Sequence, residues 1–213
     1  MNMRNSLGVS LLVWAVATVA VAEEKWETVS TGPVSIRVRL RPDIPGGREV
    51  WAEGSMAVGL PHVQAALRNH ANFRQWMPYV TESRVLEEAP GTRLTYTQLD
   101  FPLISNRDYV LRVVEEEGHA EDGSVTFLQR WTPDNEALPE RSGVVRLRHN
   151  SGSWLFTPQG EDRVRYVYRF TVEPGGSIPG FLAGVGQKDA VLDTVRAVEK
   201  RARQLAARST ATP

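Results

Sequence analysis

The sequence predicts an α+β protein in which a curved antiparallel β-sheet wraps around a long C-terminal α-helix and encloses an internal cavity. From residue 80 onward, short segments of alternating apolar and polar residues follow one another at regular spacing, as in strands joined by hairpin turns. Over residues 179–207 the apolar residues change to helical spacing, which leaves one face of that helix apolar. This face requires a partner surface, and the sheet is the large surface that the chain offers.

Length and composition indicate a single domain with its own hydrophobic core. The chain has 213 residues, which is enough for one such domain, and it contains no cysteine, so a disulfide scaffold is excluded. The formal net charge is zero, so the chain offers no general electrostatic attraction for nucleic acid. We expect a monomeric domain over residues 23–208, followed by a disordered polar tail over residues 209–213.

The N-terminal residues are typical of a cleaved export signal. Arg4 supplies a positive start, residues 7–21 form an uncharged and largely apolar run, and Ala-Val-Ala at residues 20–22 matches the small-x-small pattern of a cleavage site. The apolar run is shorter than the roughly 20 residues of a membrane-spanning helix. We therefore expect a signal peptide over residues 1–22 and a periplasmic or secreted protein, with an uncleaved membrane anchor as the alternative.

The strands and helices follow from these patterns in chain order. Residues 34–40 alternate apolar and polar side chains and precede a Pro/Gly turn segment, as a half-buried strand does. Residues 61–69 predict a helix because Pro61 stands near its first turn and the apolar residues share one face. Further strands are predicted over residues 49–58, 80–88, 93–101, 109–117, 124–131, 144–151, 153–157 and 163–173. The last element is the helix over residues 179–207.

The strand at residues 163–173 indicates that the interior holds a cavity. One of its faces is bulky and aromatic, and two residues of that face, Tyr166 and Tyr168, carry hydroxyl groups. A buried tyrosine needs a hydrogen-bond partner, which a wet or ligand-filled cavity supplies. Ordinary core packing is the alternative for the two tyrosines, and we prefer it for Phe170 and Val172.

Other strands and the C-terminal helix predict the remaining walls of this cavity. A curved sheet that grips one helix cannot easily fill its whole concave side with side chains. Large apolar sites with a few polar groups are the usual form of ligand pockets. The predicted ligand-binding residues are Leu94, Tyr96, Leu111, Val113, Phe127, Leu147, His149, Tyr166, Tyr168, Phe181, Leu182, Val185 and Leu192.

Three stretches of the chain follow a known family pattern. In the first, a helix leads into Phe-Arg-Gln-Trp-Met-Pro-Tyr-Val at residues 73–80. In the second, Phe-Pro at residues 101–102 precedes Asn-Arg-Asp-Tyr-Val at residues 106–110. The third comprises Trp154, Pro158, Val-Tyr at residues 167–168 and Pro-Gly-Gly-Ser-Ile-Pro at residues 174–179. In order and spacing these stretches resemble the START domains, the steroidogenic-acute-regulatory-type lipid-transfer modules of the helix-grip class, here of a bacterial secreted type.

The resemblance, which runs over residues 26–205, implies a helix-grip fold with a tunnel between the sheet and the C-terminal helix that holds one lipid. Some sterol-binding members of the family place a buried acid–base pair in this tunnel. The matching positions of this chain are Leu94 and Val113, so we expect the pair to be absent. The resemblance thus implies a protein that carries or senses one apolar lipid (sterol, fatty acyl or phospholipid-like) and that contacts membrane surfaces transiently.

A lipid that enters a closed tunnel requires a movable element, and two segments are suited to this role. Residues 132–143 form a long loop in which Leu138 is suited to covering an opening. Residues 175–186 combine five glycines with Ile178 and Phe181, and glycines weaken the first turns of a helix. We predict a gate that contains Leu138, Ile178 and Phe181. A plain surface loop and an ordinary frayed helix start are the alternative.

An enzyme on the same scaffold is the alternative function, because helix-grip relatives include polyketide cyclases and aromatases. The four histidines lie far apart in sequence and lack metal-ligand spacing. Of these, His62 and His70 are expected to be solvated, and His149 is the one that could face the cavity. The sequence has no cysteine nucleophile and no Gly-x-Ser-x-Gly motif. We therefore expect a non-catalytic protein without cofactor or metal, and keep a polyketide cyclase/aromatase-like or hydrolase enzyme as the alternative.

Two further groups of charged residues have a structural interpretation. Asp100 and Asp108 flank a turn and could act as acid and base, but a local ion pair or turn hydrogen bond of Asp108 is preferred. A basic strip on the outer face of the sheet is predicted from Arg146, Arg148, Arg163, Arg165 and Arg169. Such a strip is either a solvated surface or a contact for anionic lipid headgroups.

Overall fold

The computed structural model describes residues 25–176 and 182–210 of the chain. The strands over these residues are β1 (Glu27–Thr31), β2 (Val34–Leu40), β3 (Arg48–Met56), β4 (Val80–Ala89), β5 (Thr92–Leu99), β6 (Arg107–His119), β7 (Val125–Pro133), β8 (Val145–Arg146), β9 (Asn150–Pro158) and β10 (Val164–Val172). The helices are α1 (Leu60–Arg68), a 3-10 helix (His70–Gln75) and α2 (Leu182–Thr210).

The strands form one curved sheet in the order β1-β2-β3-β10-β9-β7-β6-β5-β4. Neighbours along this path are antiparallel, and β8 adds a short parallel pair to β6. Most neighbours are also consecutive in sequence, as in hairpins. Two pairings are exceptions: β7 pairs with β9, and β3 pairs with β10. The second joins the first three strands to the end of the chain, so that one continuous sheet faces α2.

Helix α2 lies on one face of this sheet, which we call the concave face. Val195 and Val198 belong to a buried cluster with Phe156 of β9, and Val191 packs in a neighbouring cluster with Ile36 of β2. The apolar stripe of the helix is therefore buried against the sheet. The predicted fold, a curved antiparallel sheet with a long C-terminal helix, is confirmed.

The shorter helices close the same side of the sheet. Helix α1 begins after Gly59 and carries Pro61 in its first turn, as predicted. The 3-10 helix, which was not predicted, packs against β4. There, Ser83 accepts a hydrogen bond from the Arg74 N–H and donates one to the Ala71 carbonyl, at 3.2 Å each. Strand β1 was also not predicted.

The opposite, convex face carries a second apolar cluster under a loop. Leu94 and Tyr96 of β5 pack with Val110 of β6, and Leu138, from the loop between β7 and β8, lies against them. Leu94 and Tyr96 were predicted to face the cavity, and this prediction is wrong. Leu138 lies on the side of the sheet that faces away from α2, so its predicted part in a gate is wrong as well, whereas Ile178 and Phe181 lie outside the described residues and their part in a gate stays a prediction.

A buried ion pair holds this loop in place. Arg146 Nε donates to Asp108 Oδ1 at 2.7 Å and Nη2 to Oδ2 at 3.2 Å, and both side chains are 1% exposed. The same guanidinium donates to the carbonyls of Asn135, Leu138 and Pro139. The loop is therefore a fixed cover. Arg146 does not belong to the predicted basic strip. Asp108 has a structural role, as preferred, but its ion-pair partner is the distant Arg146 and not a local residue.

The strand predicted over residues 144–151 is interrupted in the structure. After β8, the Leu147 N–H donates to the Asp108 carbonyl at 2.8 Å, and the His149 carbonyl accepts from the Glu173 N–H at 2.9 Å before β9 begins. These contacts turn the chain away from the regular ladder. His149 lies in the interruption, so the alternation that placed it on the inner face does not apply there.

The C-terminal end of the described chain differs from the expected tail. Helix α2 extends to Thr210 and so includes the first two residues of the expected tail. Residues 211–213 and the predicted signal peptide lie outside the described residues. Within the part of the chain that the structure describes, no helix combines the length and apolarity needed to cross a bilayer.

Candidate functional site

A stacked aromatic wall stands at the centre of the concave face. Tyr168 of β10 lies face to face on Trp154 of β9, with ring centroids 3.8 Å apart and planes 4° from parallel. Trp131 and Phe170 extend the wall, with their centroids 6.0 Å and 4.8 Å from that of Tyr168. The stack follows from the register, because Tyr168 pairs with Trp154 and opposed residues of antiparallel strands share a face.

Part of this wall is not covered by other side chains. Nine partly exposed residues of the described chain pack against this core, and the aromatic or sulfur-containing ones are Trp76, Met77, Tyr109, Tyr168 and Phe170. They come from the end of the 3-10 helix, from β6 and from β10. By contrast, Phe127 and Phe156 of the same cluster are completely buried. We call these five residues the cavity wall, because they lie on the concave side, where the sequence predicts the cavity.

Two hydroxyl groups belong to the cavity wall. Burial raises the pKa of Tyr109 above its usual value, and burial together with the neighbouring Tyr109 raises the pKa of Tyr168. Both side chains nevertheless keep accessible surface. Each phenol is therefore packed among protein atoms and keeps part of its side chain accessible on the concave side. Its hydroxyl can therefore meet a polar atom of a ligand or an ordered water.

A charged cluster forms one side of the concave face. Glu115 of β6 accepts hydrogen bonds from Arg93 of β5 at 2.5 Å, from Arg68 of α1 at 2.7 Å and from Gln129 of β7 at 3.2 Å. The Arg93 and Glu115 side chains are each 8% exposed. Burial tends to raise the pKa of Glu115, but the two arginines outweigh burial and lower it. A solvent-open cleft of about 570 Å³ lies against this cluster.

The described residues contain a buried ion pair between Arg93 and Glu115, but Leu94 and Val113, the positions that the resemblance indicated for an acid–base pair, do not form one. Val113 does face inward, and it pairs with Arg93 across β5 and β6, while Glu115 stands two residues further along the same face. Leu94, the position used in the expectation, points to the convex face. Since neighbouring residues of a strand point to opposite faces, Arg93 and Leu94 lie on different sides of the sheet. The expected absence of the pair of the sterol-binding members stays a prediction.

A neutral histidine lies on the same side of the sheet. His70 Nε2 is 3.3 Å from the Tyr96 carbonyl oxygen and 3.1 Å from Thr97 Oγ1. Burial lowers the pKa of His70 to about 4, so the imidazole is neutral at neutral pH. The expectation that His70 is solvated is wrong, because the unpredicted 3-10 helix folds it over β5.

The structure brings together only part of the predicted binding residues. Leu111, Val113, Phe127, Tyr166 and Tyr168 belong to the cluster on the concave face. Phe127 is completely buried, so it supports the cavity wall from behind. Of the cavity wall, Tyr168 alone was named as a binding residue. Tyr109 was missed, although the alternation of Tyr109, Leu111 and Val113 along β6 places all three on one face.

The remaining predicted residues lie elsewhere or are not described. The His149 side chain is 52% exposed and lies 3.7 Å from Glu173, so its predicted contact with a cavity ligand is wrong. Leu147 is buried next to the β6–β8 contact, and Leu192 is partly buried against the cluster of β2 and β3. For Leu182 and Val185 the structure describes the helical backbone only, and Ile178 and Phe181 lie outside the described residues. The roles of these last four residues stay predictions.

Tyr166 has a different environment from Tyr168. Its side chain is 1% exposed, and its hydroxyl has no hydrogen-bond partner in the described part of the chain. The hydroxyl lies over Gly54, where an added Cβ would stand 2.7 Å from it. The tyrosine ring thus fills the space that the glycine leaves, and its hydroxyl is covered by protein.

The segment that leads to α2 is attached to the loop between β5 and β6. Arg107, at the start of β6, donates to the Pro174 carbonyl at 2.9 Å, to the Gly175 carbonyl at 3.2 Å and to the Ser105 carbonyl. The tip of this loop carries Leu103, whose side chain is 81% exposed. Leu103 also has a φ of 70°, a conformation that costs a residue with a Cβ about 1 kcal/mol or more.

Comparison with known proteins gives one consistent family. Residues 60–199, more than half of the chain, match the family described as polyketide cyclase / dehydrase and lipid transport. The chain is 32% identical over 132 residues to an uncharacterised protein of Pseudomonas aeruginosa, a match that spans 60% of this chain and 63% of that protein. It is 27% identical over 175 residues to the phosphatidylcholine transfer protein of Bos taurus, 81% of either chain.

A solved structure agrees with these sequence matches. The crystal structure of a STAR-related lipid transfer protein from Xanthomonas axonopodis superimposes with a TM-score of 0.69 and 30% sequence identity, and the match covers 84% of this chain and 98% of that one. Together with the ten-stranded curved sheet and its C-terminal helix, these matches show that the chain belongs to the polyketide cyclase / dehydrase and lipid transport family and, within it, is a START domain with the helix-grip fold.

Proposed function

We propose that the protein binds a single apolar lipid in the cavity of the concave face and carries it without catalysing a reaction. The cavity wall is the observation that carries this proposal. Its five residues present mainly apolar and aromatic surface together with the two hydroxyls of Tyr109 and Tyr168. Such a lining suits a ligand that consists mostly of hydrocarbon and has one or two polar atoms. Relatives that are named as lipid transfer proteins support the transport role.

The polar end of the ligand is proposed to be uncharged. Tyr109 and Tyr168 offer hydroxyls but no charge, and burying an unpaired ionic group beside them would cost several kcal/mol. The charges of Arg93 and Glu115 are already paired with each other. A hydroxyl or carbonyl group of a sterol or acyl lipid therefore fits this site, whereas a multiply charged headgroup does not.

Lipid transfer between vesicles tests the proposed function. Donor vesicles carry a fluorescent sterol or a fluorescent diacyl lipid with a quencher, and acceptor vesicles carry neither. Purified protein is expected to accelerate transfer of at least one of the two probes and to bind it with a stoichiometry of one. Turnover of a polyketide substrate without lipid binding would contradict the proposal and favour the cyclase alternative.

We propose further that the loop tip at Leu103 contacts the donor and acceptor membranes. A large apolar side chain that is 81% exposed and held in a strained backbone conformation gains from insertion into a bilayer surface. Through Arg107 this loop is attached to Pro174 and Gly175, which precede α2 in the chain.

A location outside the cytoplasm completes the proposal. It is supported by the sequence of residues 1–22, with a positive start, an apolar run and a small-x-small site. Mass analysis of protein from the cell envelope is expected to give Glu23 as the first residue. An intact Met1 on envelope-located protein would contradict cleavage.

A further inference from the structure

An apolar strip crosses the centre of the convex face. Leu128 of β7 pairs with Leu155 of β9, and Leu155 pairs with Val167 of β10. Leu155 is 36% exposed, and the other two are partly exposed. We call these three residues the convex strip. In each strand the neighbours of the strip residue face the core, for example Trp154 and Phe156 beside Leu155, so the strip faces away from α2.

Arginines flank the convex strip on both sides. On one side, Arg130 of β7 and Arg169 of β10 both lie opposite Ser153 of β9, so these three residues form a row across the strands. Arg165 lies on the other side, two residues before Val167. The side chains of Arg130, Arg165 and Arg169 are 54%, 58% and 45% exposed. Donor groups of all three arginines therefore remain available at the surface.

Carboxylates on this face are fewer than arginines. At one end of the strip, Glu116 lies opposite Leu128 in the strand register and binds Arg130. At the other end, Glu53 lies opposite Val167 and binds Arg165. The buried Glu49 is shared by three arginines, Arg39, Arg41 and Arg169. Arg41, in the turn after β2, also binds Asp43. With Arg37, which lies over the Trp51 ring, six arginines therefore face four carboxylates in this region. The surface around the convex strip is therefore positive, although the net charge of the whole chain is zero.

We propose that the convex strip is the docking surface for a protein partner that presents apolar side chains flanked by carboxylates. An apolar centre with a rim of arginines is the usual anatomy of a protein–protein interface, and arginine and tryptophan are enriched among residues that dominate binding. Opposite charge on the partner would steer the encounter and fix its orientation. The inference does not depend on the proposed function of the concave face.

A bilayer is a poorer occupant of this surface than a protein. The leucine and valine side chains of the strip are shorter than the arginines beside them and are held in strands, so they cannot pass the headgroups to reach hydrocarbon. The convex face also points away from α2 and from the cavity wall. A membrane on this side would face no opening of the cavity, whereas a protein here leaves the concave side free.

Site-specific photocross-linking followed by charge reversal tests the proposal. A photoreactive phenylalanine analogue is placed at Leu155 or, as a control, at Val125, which is apolar and 44% exposed at the start of β7. In the native host, Leu155 is expected to give a discrete protein product that Val125 does not give. The partner is identified from that product and purified. Its affinity is then measured for wild type, for the R130E/R165E double variant and for the control R196E/R203E on α2.

The expected result is a partner whose apolar binding segment is flanked by carboxylates and whose Kd rises about tenfold for R130E/R165E but not for R196E/R203E. Lipid transfer by R130E/R165E is expected to match that of wild type, which separates this surface from the lipid site. The proposal is overturned if Leu155 gives no product beyond that of Val125, or if charge reversal leaves the affinity unchanged. It is also overturned if wild type cosediments with phosphatidylglycerol vesicles and R130E/R165E does not, because the surface then binds a membrane.

Discussion

The ring of Tyr168 stacks on Trp154 with the two ring centroids 3.8 Å apart, so its position does not depend on its hydroxyl group. The side chain is therefore held by its face, while part of it stays accessible on the concave side, where Tyr109 also lies. This arrangement allows the hydroxyl to be removed without moving the ring.

Tyr168→Phe is expected to weaken lipid binding by about 0.5–1.5 kcal/mol, the range for one lost hydrogen bond. Tyr109→Phe should act in the same direction. The thermal unfolding midpoint of Tyr168→Phe should stay close to that of wild type, since the stack with Trp154 is kept, whereas Tyr109→Phe also loses the hydrogen bond of its hydroxyl with Thr97. Fluorescence titration with the transferred lipid measures the affinities. Wild-type affinity in both variants would show that the two hydroxyls do not meet the ligand.

Tyr166→Phe is the matched control and is a prediction of its own. Its hydroxyl is covered by protein and has no partner among the described residues, so it contributes only the cost of burial. Removing it should raise the free energy of unfolding by about 1 kcal/mol and leave lipid affinity unchanged. Urea unfolding checks the first part. A loss of affinity as large as that of Tyr168→Phe would place Tyr166 at the ligand after all.

Breaking the pair between Arg146 and Asp108 is expected to be the most destabilising of these changes. Both side chains are 1% exposed, so Arg146→Met leaves a buried carboxylate without its partner and frees three carbonyls of the cover loop. The expected loss in the free energy of unfolding is about 3–5 kcal/mol. The surface pair of Arg148 with Glu140 is the control, and Arg148→Met should cost about 0–1 kcal/mol. Equal effects in urea unfolding would contradict a structural role for the buried pair.

The stability of the protein is expected to depend on pH through His70. Its pKa is lowered to about 4 in the folded state from 6.5, so the unfolded chain takes up the proton first as the pH falls. This contribution to stability is fully present above pH 6.5, is lost as the pH falls through about 4, and amounts to about 3 kcal/mol. The unfolding free energy of His70→Gln should fall less between pH 7.5 and pH 4.5 than that of wild type. The exposed control, His119→Gln, should behave like wild type, and an unchanged pH dependence in His70→Gln would refute the assignment.

Two substitutions at Leu103 separate its exposed side chain from its strained backbone. Both Leu103→Ser and Leu103→Gly remove the apolar group, so both should slow vesicle-to-vesicle transfer by up to about tenfold with unchanged lipid affinity. Glycine accepts a φ of 70° without strain, so only Leu103→Gly should also raise the free energy of unfolding, by about 1 kcal/mol. Transfer at the wild-type rate in both variants would remove this loop from the membrane contact.

The spacing of apolar residues along the chain was enough to predict the architecture. Alternation in β6 and β10 and helical spacing in α2 identified a sheet and a helix that must bury their apolar sides together, and the structure has this arrangement. The 3-10 helix could not be predicted in this way, because residues 70–75 show no apolar period and are held by contacts with Ser83 of β4.

The candidate site was harder to predict because alternation does not say which face of a strand is the inner one. In β5 the apolar residues Leu94 and Tyr96 lie outside, where the cover loop buries them. Thr95 and Thr97 lie inside instead, and their hydroxyls bond to the Leu111 carbonyl and to His70. The assumption that apolar residues face the main core therefore assigned the two faces of β5 the wrong way round. A second apolar layer on the convex side is a tertiary feature that the pattern of one strand does not contain.

Native mass spectrometry tests the central claim most directly. The purified protein is mixed with vesicles that contain a sterol, a diacylglycerol and a phosphatidylcholine, separated from them, and weighed under non-denaturing conditions together with a Tyr109→Phe/Tyr168→Phe double variant. The account predicts one lipid per wild-type chain, with an uncharged polar end, and a clearly lower occupancy in the double variant. A wild-type protein that emerges without lipid, or one that retains only multiply charged soluble metabolites, would contradict it.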